Sequence, residues 1–256
     1  MIAERDRERF LRQIAIDGFG ENGQQRLSRA RVLVAGAGGL GCAACTYLAA
    51  AGVGLLRIVD RGEVELSNLN RQVLYATGDI GKPKALTLQK RLRGLNPGVR
   101  FEPFQAVMDE TSLPGLLEAI DVAVDALDNL PTRLALNKAC LDLRIPLVHG
   151  AVNGFQGQVM TVLPGQGPCL MCLYEGRDYM GEIPVLGTAP GITGCIQATE
   201  VIKILTGLGA PLSGRLLLFD GREMRFSELA PARNPRCPHC AELPGSRPGV
   251  RAPRGA

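Results

Sequence analysis

The sequence predicts a doubly wound, mainly parallel α/β sheet with an antiparallel C-terminal extension and a structural zinc site. Three observations carry this expectation. Short apolar runs alternate with segments of helical period through the first 150 residues, the pattern of repeated strand–helix–strand units. Beyond residue 158 strand-like runs recur, with a hairpin signal at Asp220-Gly221. That second part also holds two C-x-x-C pairs, Cys169 with Cys172 and Cys237 with Cys240, each behind a Pro-bearing turn. Four thiolates form the closed shell of a structural zinc ion, which would staple the C-terminal part onto the body. His239, between two of the cysteines, is read as a bystander.

Taken in order, residues 4–14 read as an amphipathic helix rich in arginine, followed by a polar glycine-bearing stretch, DGFGENGQQRL. Val32–Ala35 reads as a buried strand, then a glycine turn and a helix to about Ala51. Residues 55–60 form the next strand and 84–93 a helix that stops before Asn96-Pro97. A weak strand at 101–107, a short helix at 113–120 and a buried strand at 122–125 follow. A helix over 131–141 and a strand at 147–149 complete the first part. The second part holds strands at 158–163 and 215–226, with a helix over 192–206 between them. One domain over 1–242 is expected, made of an arm (1–30), a nucleotide-binding part (31–150) and an antiparallel, zinc-binding part (151–242). The Pro/Gly/Arg-rich stretch 243–256 is expected to be a disordered tail.

Composition excludes several classes. Apolar residues make up 46% and charged residues 21% of the 256, so disordered, collagen-like and coiled-coil chains drop out. The net charge of +4 lies largely in the tail, and no tryptophan is available for base stacking, so no nucleic-acid partner is expected. The uncharged run between Arg31 and Arg57 is long enough to span a bilayer, but six glycines break it. A strand–turn–helix unit explains all six, and no membrane association is expected. The N-terminal MIAERDRERF lacks the apolar centre of a secretory leader, so a cytoplasmic location is expected. Reduced thiols fit that compartment. A third C-x-x-C pair, Cys42 and Cys45, falls on the helix after the glycine turn and is read as core packing, as is Cys195.

Gly36-Ala37-Gly38-Gly39-Leu40-Gly41 matches G-x-G-x-x-G between a strand and a helix, the Rossmann-like phosphate turn. Asp60, 19 residues beyond Gly41, stands at a strand end where a carboxylate accepts from ribose hydroxyls. Alone this points to an NAD-dependent oxidoreductase, with His149 the one histidine placed as a base, although a strand-end cap is its simpler role. Downstream cations argue otherwise. LSNLNRQ (66–72) and Gly81-Lys82-Pro83-Lys84 bring arginine and lysine, two of only five lysines in the chain. A reaction that cleaves between the α- and β-phosphates of ATP needs such charges. Asp125-Ala126-Leu127-Asp128-Asn129 then supplies carboxylates at a strand end, suited to Mg²⁺.

With LRQI, RVLVAGAGGLGC, IVD, LSNLNRQ, GKPK, DALDN and both cysteine knuckles in register, the sequence resembles the ubiquitin-activating-enzyme-like superfamily. Within it, the resemblance is to bacterial adenylyltransferases that activate the sulfur-carrier proteins of molybdopterin and thiamine biosynthesis. The resemblance implies nucleotide binding by Gly36, Gly38, Gly39, Gly41, Asp60, Ser67, Asn68 and Asn70. It implies phosphate clamping by Arg71 and Lys84, and Mg²⁺ and nucleotide binding by Asp128 and Asn129. It implies that Arg12 reaches into the partner subunit of a homodimer. The implied reaction joins ATP to the C-terminal Gly-Gly carboxylate of a ubiquitin-like, β-grasp carrier, giving an acyl-adenylate and pyrophosphate. A sulfur donor then acts on that product. Some relatives carry a cysteine after the first knuckle that links covalently to the carrier. Residues 174–187 hold none here, so adenylation without an enzyme–cysteine intermediate is expected. A dehydratase or cyclase of the same superfamily, acting on another carboxylate, is the alternative.

Overall fold

The computed structural model describes residues 4–175 and 183–243. The N-terminal arm forms α1 (Glu4–Arg9), α2 (Leu11–Ile14) and α3 (Gly20–Arg29). The single helix expected over 4–14 is broken at Phe10, which is buried. α3 falls in the stretch read as merely polar. Its register is held by few apolar contacts: Leu27 is fully buried, and the Gln24 amide donates 3.0 Å to the Ala51 carbonyl.

Among the described residues, eight strands form one sheet in the order β3-β2-β1-β4-β5-β6-β7-β8. β1 (Arg31–Ala35), β2 (Leu55–Val59), β3 (Arg100–Phe104), β4 (Val122–Asp125) and β5 (Leu147–Asn153) run parallel. β1, β2 and β4 are almost wholly buried, which is why β1 and β4 read as near-continuous apolar runs, whereas Arg57 interrupts β2 and is buried through its ion pair with Glu102. β6 (Gln156–Val162), β7 (Leu216–Asp220) and β8 (Arg225–Leu229) add antiparallel. The doubly wound half and its antiparallel extension therefore share one sheet, and residue 150 lies inside β5. β3 ends three residues before its expected limit, as an edge strand carrying Pro103, whose missing N–H an edge tolerates.

Helices cover both faces. α4 (Gly39–Ala51), α5 (Lys84–Leu95) and α9 (Thr188–Thr206) pack on one side with α3. α6 (Leu113–Leu116), α7 (Leu130–Asp142) and α8 (Leu170–Tyr174) cover the other, where the cysteine knuckles join the core. α6 is half its expected length. α9 starts one turn earlier than expected, because Pro190 and Gly191 sit in its first turn, where proline costs no internal hydrogen bond. Of the expected tail, 243–256, Leu243 packs against the core and the rest lies outside the described residues. Among those described, no helix is long and apolar enough to cross a membrane.

Candidate active site

Strand order reverses between β1 and β4, which are register neighbours at Ala35 and Asp125. Ligands of such sheets bind in the crevice at the carboxyl ends of the strands at that switch point. The glycine turn leaves β1 there, Asp60 leaves β2 and Asp128 follows β4. Gly36 has φ +100°, and a Cβ on Gly41 would stand 2.0 Å from the Gly36 carbonyl, so the turn folds tightly back on the first turn of α4. Pro190 of α9 packs on Gly39. At Gly38 the surroundings are open: a Cβ would meet only the Gln72 amide nitrogen, at 3.7 Å. Gln72 is buried, and its side-chain oxygen has no partner among the described residues. An open cradle at a helix N-terminus beside an unsatisfied amide fits a nucleotide phosphate.

The flanking residues are held differently. Asp60 accepts 2.7 Å hydrogen bonds from the backbone N–H groups of Ala37 and Gly62, one on each oxygen, and so fixes the glycine turn. Tyr75 donates 2.7 Å to the Ala37 carbonyl from the opposite side. Asn68 is buried, and its Oδ1 accepts from the Glu65 N–H, closing the short helical turn 66–68. Ser67 and Asn70 are exposed. The Arg71 guanidinium is tethered by the Ser67 carbonyl at 2.8 Å and Asn70 Oδ1 at 3.0 Å. Lys82 is drawn away to Asp79, whereas Lys84, at the start of α5, lies beside Asp60 and Gly62. Lys84 makes no ion pair among the described residues.

Of the two carboxylates read at the end of β4, only Asp128 is exposed. Asp125 is fully buried, 3.0 Å from Arg133 Nε and 2.7 Å from His149 Nδ1. Burial opposes its ionisation, but the Arg133 charge and the His149 hydrogen bond hold the carboxyl below the ordinary range. Asp125 is thus a structural anchor and no Mg²⁺ ligand. Asn129 caps α7, its Oδ1 accepting from the Thr132 N–H at 3.0 Å, while its amide reaches Asp128. His149 is no strand-end cap: it lies inside β5, fully buried. Burial and then the Arg133 charge push its pKa down, so the ring is neutral.

Arg12 is exposed on α2 and is not brought to this crevice. Its neighbour Gln13 bonds to the Ala51 carbonyl at the far end of α4, whose 13 residues span about 20 Å. Gln72, Tyr75 and Pro190 are the residues that sequence reasoning passed over. Gln72 was visible as the end of LSNLNRQ, but the other two carry no local signal.

The four knuckle cysteines converge, with all four Sγ atoms within 4.8 Å of one another. Cys169–Cys237 and Cys172–Cys240 stand at 3.7 and 3.6 Å. A tetrahedral zinc with bonds of about 2.3 Å sets its sulfurs about 3.8 Å apart, so the cluster fits that ion. Burial pushes the Cys240 thiol up to about 11, so loading would release protons. His239 pairs instead with Asn137, at 3.0 Å. Cys42 and Cys45 are buried in the core, with the Cys42 thiol pushed up to about 12 by burial. Cys195 is half-buried rather than enclosed, and lines a shallow groove with Gln13, Tyr47 and Ile202.

Residues 10–239 match the model of the ThiF family. The chain belongs to the ThiF family. Relatives of this ThiF-family protein include the SAMP-activating enzyme E1 of Haloferax volcanii, 47% identical over 92% of this chain and 89% of that one. The sulfur carrier protein adenylyltransferase of Thermus thermophilus is 45% identical over 94% and 93%. The molybdopterin-synthase adenylyltransferase of Escherichia coli is 37% identical over 94% and 99%. In fold the chain is similar to crystal structures of E. coli MccB (TM-score 0.82, 21% identity, 94% and 74% covered) and PaaA (0.77, 26%, 91% and 76%). This ThiF-family protein is an enzyme of the adenylyltransferase class.

Proposed function

We propose that the chain adenylates the C-terminal Gly-Gly carboxylate of a small ubiquitin-like sulfur-carrier protein, using ATP with Mg²⁺. What supports this reading most is the open glycine cradle at the carboxyl end of β1, with Lys84 beside Gly62 and Asp128 following β4, in a chain whose relatives include named sulfur-carrier adenylyltransferases. A carboxylate oxygen of the carrier attacks the α-phosphorus. The bond to the bridging oxygen breaks, and pyrophosphate leaves with that electron pair. The nucleophile is already an anion, so no side-chain base is needed and the protein supplies positioning and charge. Gly36, Gly38, Gly39 and Gly41 let the backbone approach the phosphates, with Asp60, Ser67, Asn68 and Asn70 around the ribose. Arg71 and Lys84 balance charge building on the leaving group. Asp128 holds Mg²⁺, which neutralises phosphate charge when bound, and Asn129 orients Asp128 and the nucleotide.

β8 supports carrier docking. Every residue of this edge strand is exposed, and an edge of this kind offers its backbone groups to a small β-sheet partner. Adenylation proceeds without a covalent enzyme–cysteine intermediate, because residues 174–187 contain no cysteine and Cys195 lies beside Gln13 and Tyr47, on the helix faces away from the crevice. Mass spectrometry of carrier, enzyme and ATP-Mg²⁺ should show carrier plus AMP; an enzyme–carrier thioester would overturn this. A homodimer completes each site with the partner subunit's Arg12. Mixing Arg12→Ala with Asp128→Ala, each inactive alone, should restore activity, since each heterodimer then has one intact site. No restoration after subunit exchange would remove Arg12 from the site.

A further inference from the structure

Beneath the nucleotide crevice, a buried polar chain connects it to the cysteine cluster. Asp125 ends β4, three residues before Asp128. Its Oδ2 accepts a 2.7 Å hydrogen bond from His149 Nδ1–H, and His149 Nε2 lies 3.0 Å from the Tyr174 hydroxyl. With a neutral ring whose proton sits on Nδ1, Nε2 accepts from the Tyr174 O–H, and Gln158 donates its amide to the Tyr174 oxygen. Each group in the relay therefore has a partner of the right polarity. Arg133 spans both ends: Nε faces Asp125, Nη1 lies 3.4 Å from the Tyr174 oxygen, and Nη2 donates 2.6 Å to the Leu127 carbonyl, just before Asp128. The far end of the relay, Tyr174, closes α8, the helix that carries Cys172.

We propose that His149 and Tyr174 are positioning residues that couple the occupancy of the four-cysteine cluster to that of the nucleotide crevice. The inference rests on the reading of those two sites given above. Buried networks of this kind have few alternative arrangements, because a broken link leaves a polar group unsatisfied in low dielectric. A shift of α8 on zinc loss is thus passed to Asp125 and the turn that bears Asp128. Coupling is reciprocal, so a nucleotide that fixes the turn must also retain zinc.

The test measures zinc release to a chromogenic chelator with and without saturating ATP-Mg²⁺, carrier absent. Zinc content and ATP affinity are first determined by atomic absorption and equilibrium dialysis. In the wild type ATP should slow release about fivefold or more, the lower end of ordinary coupling. Tyr174→Phe, which deletes one hydroxyl and keeps the ring, should lose most of that ratio, and His149→Asn should do the same. His239→Ala, which cuts the separate contact between the second knuckle and Asn137, should keep it. An ATP effect of the same size in Tyr174→Phe overturns the relay, as does no ATP effect in a wild type that binds both ligands. A wild type lacking zinc or ATP binding overturns the reading of the sites together with the coupling.

Discussion

Asp60→Ala separates two roles that one carboxylate combines. Its oxygens each accept a 2.7 Å hydrogen bond from a backbone N–H, of Ala37 and Gly62. Hydrogen bonds to a charged group contribute about 1.5–3 kcal/mol each, and partial exposure of this one roughly halves that, so the pair is worth about 1.5–3 kcal/mol. For a chain of this size that is a fall in Tm of about 3–12 °C. Asp60→Asn should fall between, since its single oxygen serves one N–H and its amide confronts the other. Urea and thermal denaturation without ligand, beside ATP affinity by equilibrium dialysis, read both effects. An Asp60→Ala protein that loses ATP binding yet melts within about 1 °C of wild type would refute the reasoning, because Asp60 would then act on ligand alone.

Asp128→Ala, at an exposed turn, should abolish adenylation while unfolding stays within about 0.5 kcal/mol of wild type; retained turnover would displace Asp128 from the site. Cys240→Ala should bring zinc content close to nil and cost about 3–5 kcal/mol in denaturant unfolding, the scale of a lost metal site, whereas unchanged stability would remove the staple. Because His149 has a lowered pKa in the folded state, the unfolded chain takes up a proton below about pH 6.5 that the folded chain refuses. Stability should therefore fall by up to about 1.4 kcal/mol per pH unit as pH drops below 6.5, on account of this residue alone. His239 is shifted the same way, so the measurement is the difference in slope between wild type and His149→Asn; equal slopes would contradict the buried neutral ring.

Much of this molecule is legible in its sequence because the dominant signals are local. The runs Val32–Ala35 and Val122–Val124 are apolar on both faces, as central parallel strands must be, and the glycine turn between strand and helix marks the phosphate site. The spacing of the knuckles foretold a cluster that the fold brings within 4.8 Å. What escaped depends on distant contacts. α3 is polar in sequence and holds through Leu27 and the Gln24–Ala51 bond. Asp125 and Asp128 look alike in DALDN, yet Arg133 and His149 from two other elements claim the first and leave the second exposed. Cys195 was expected inside its helix packing, but α9 presents that face to a groove. None of these distinctions has a period or a spacing.

The account turns on ATP and a carrier tail meeting in one crevice, and ATP–pyrophosphate exchange reads that meeting directly. With Mg²⁺ and a small β-grasp carrier ending in Gly-Gly, labelled pyrophosphate should return to ATP. The same carrier without its last two glycines should give none. Exchange that ignores the tail, or no exchange with any intact carrier despite ATP binding, would contradict the central claim.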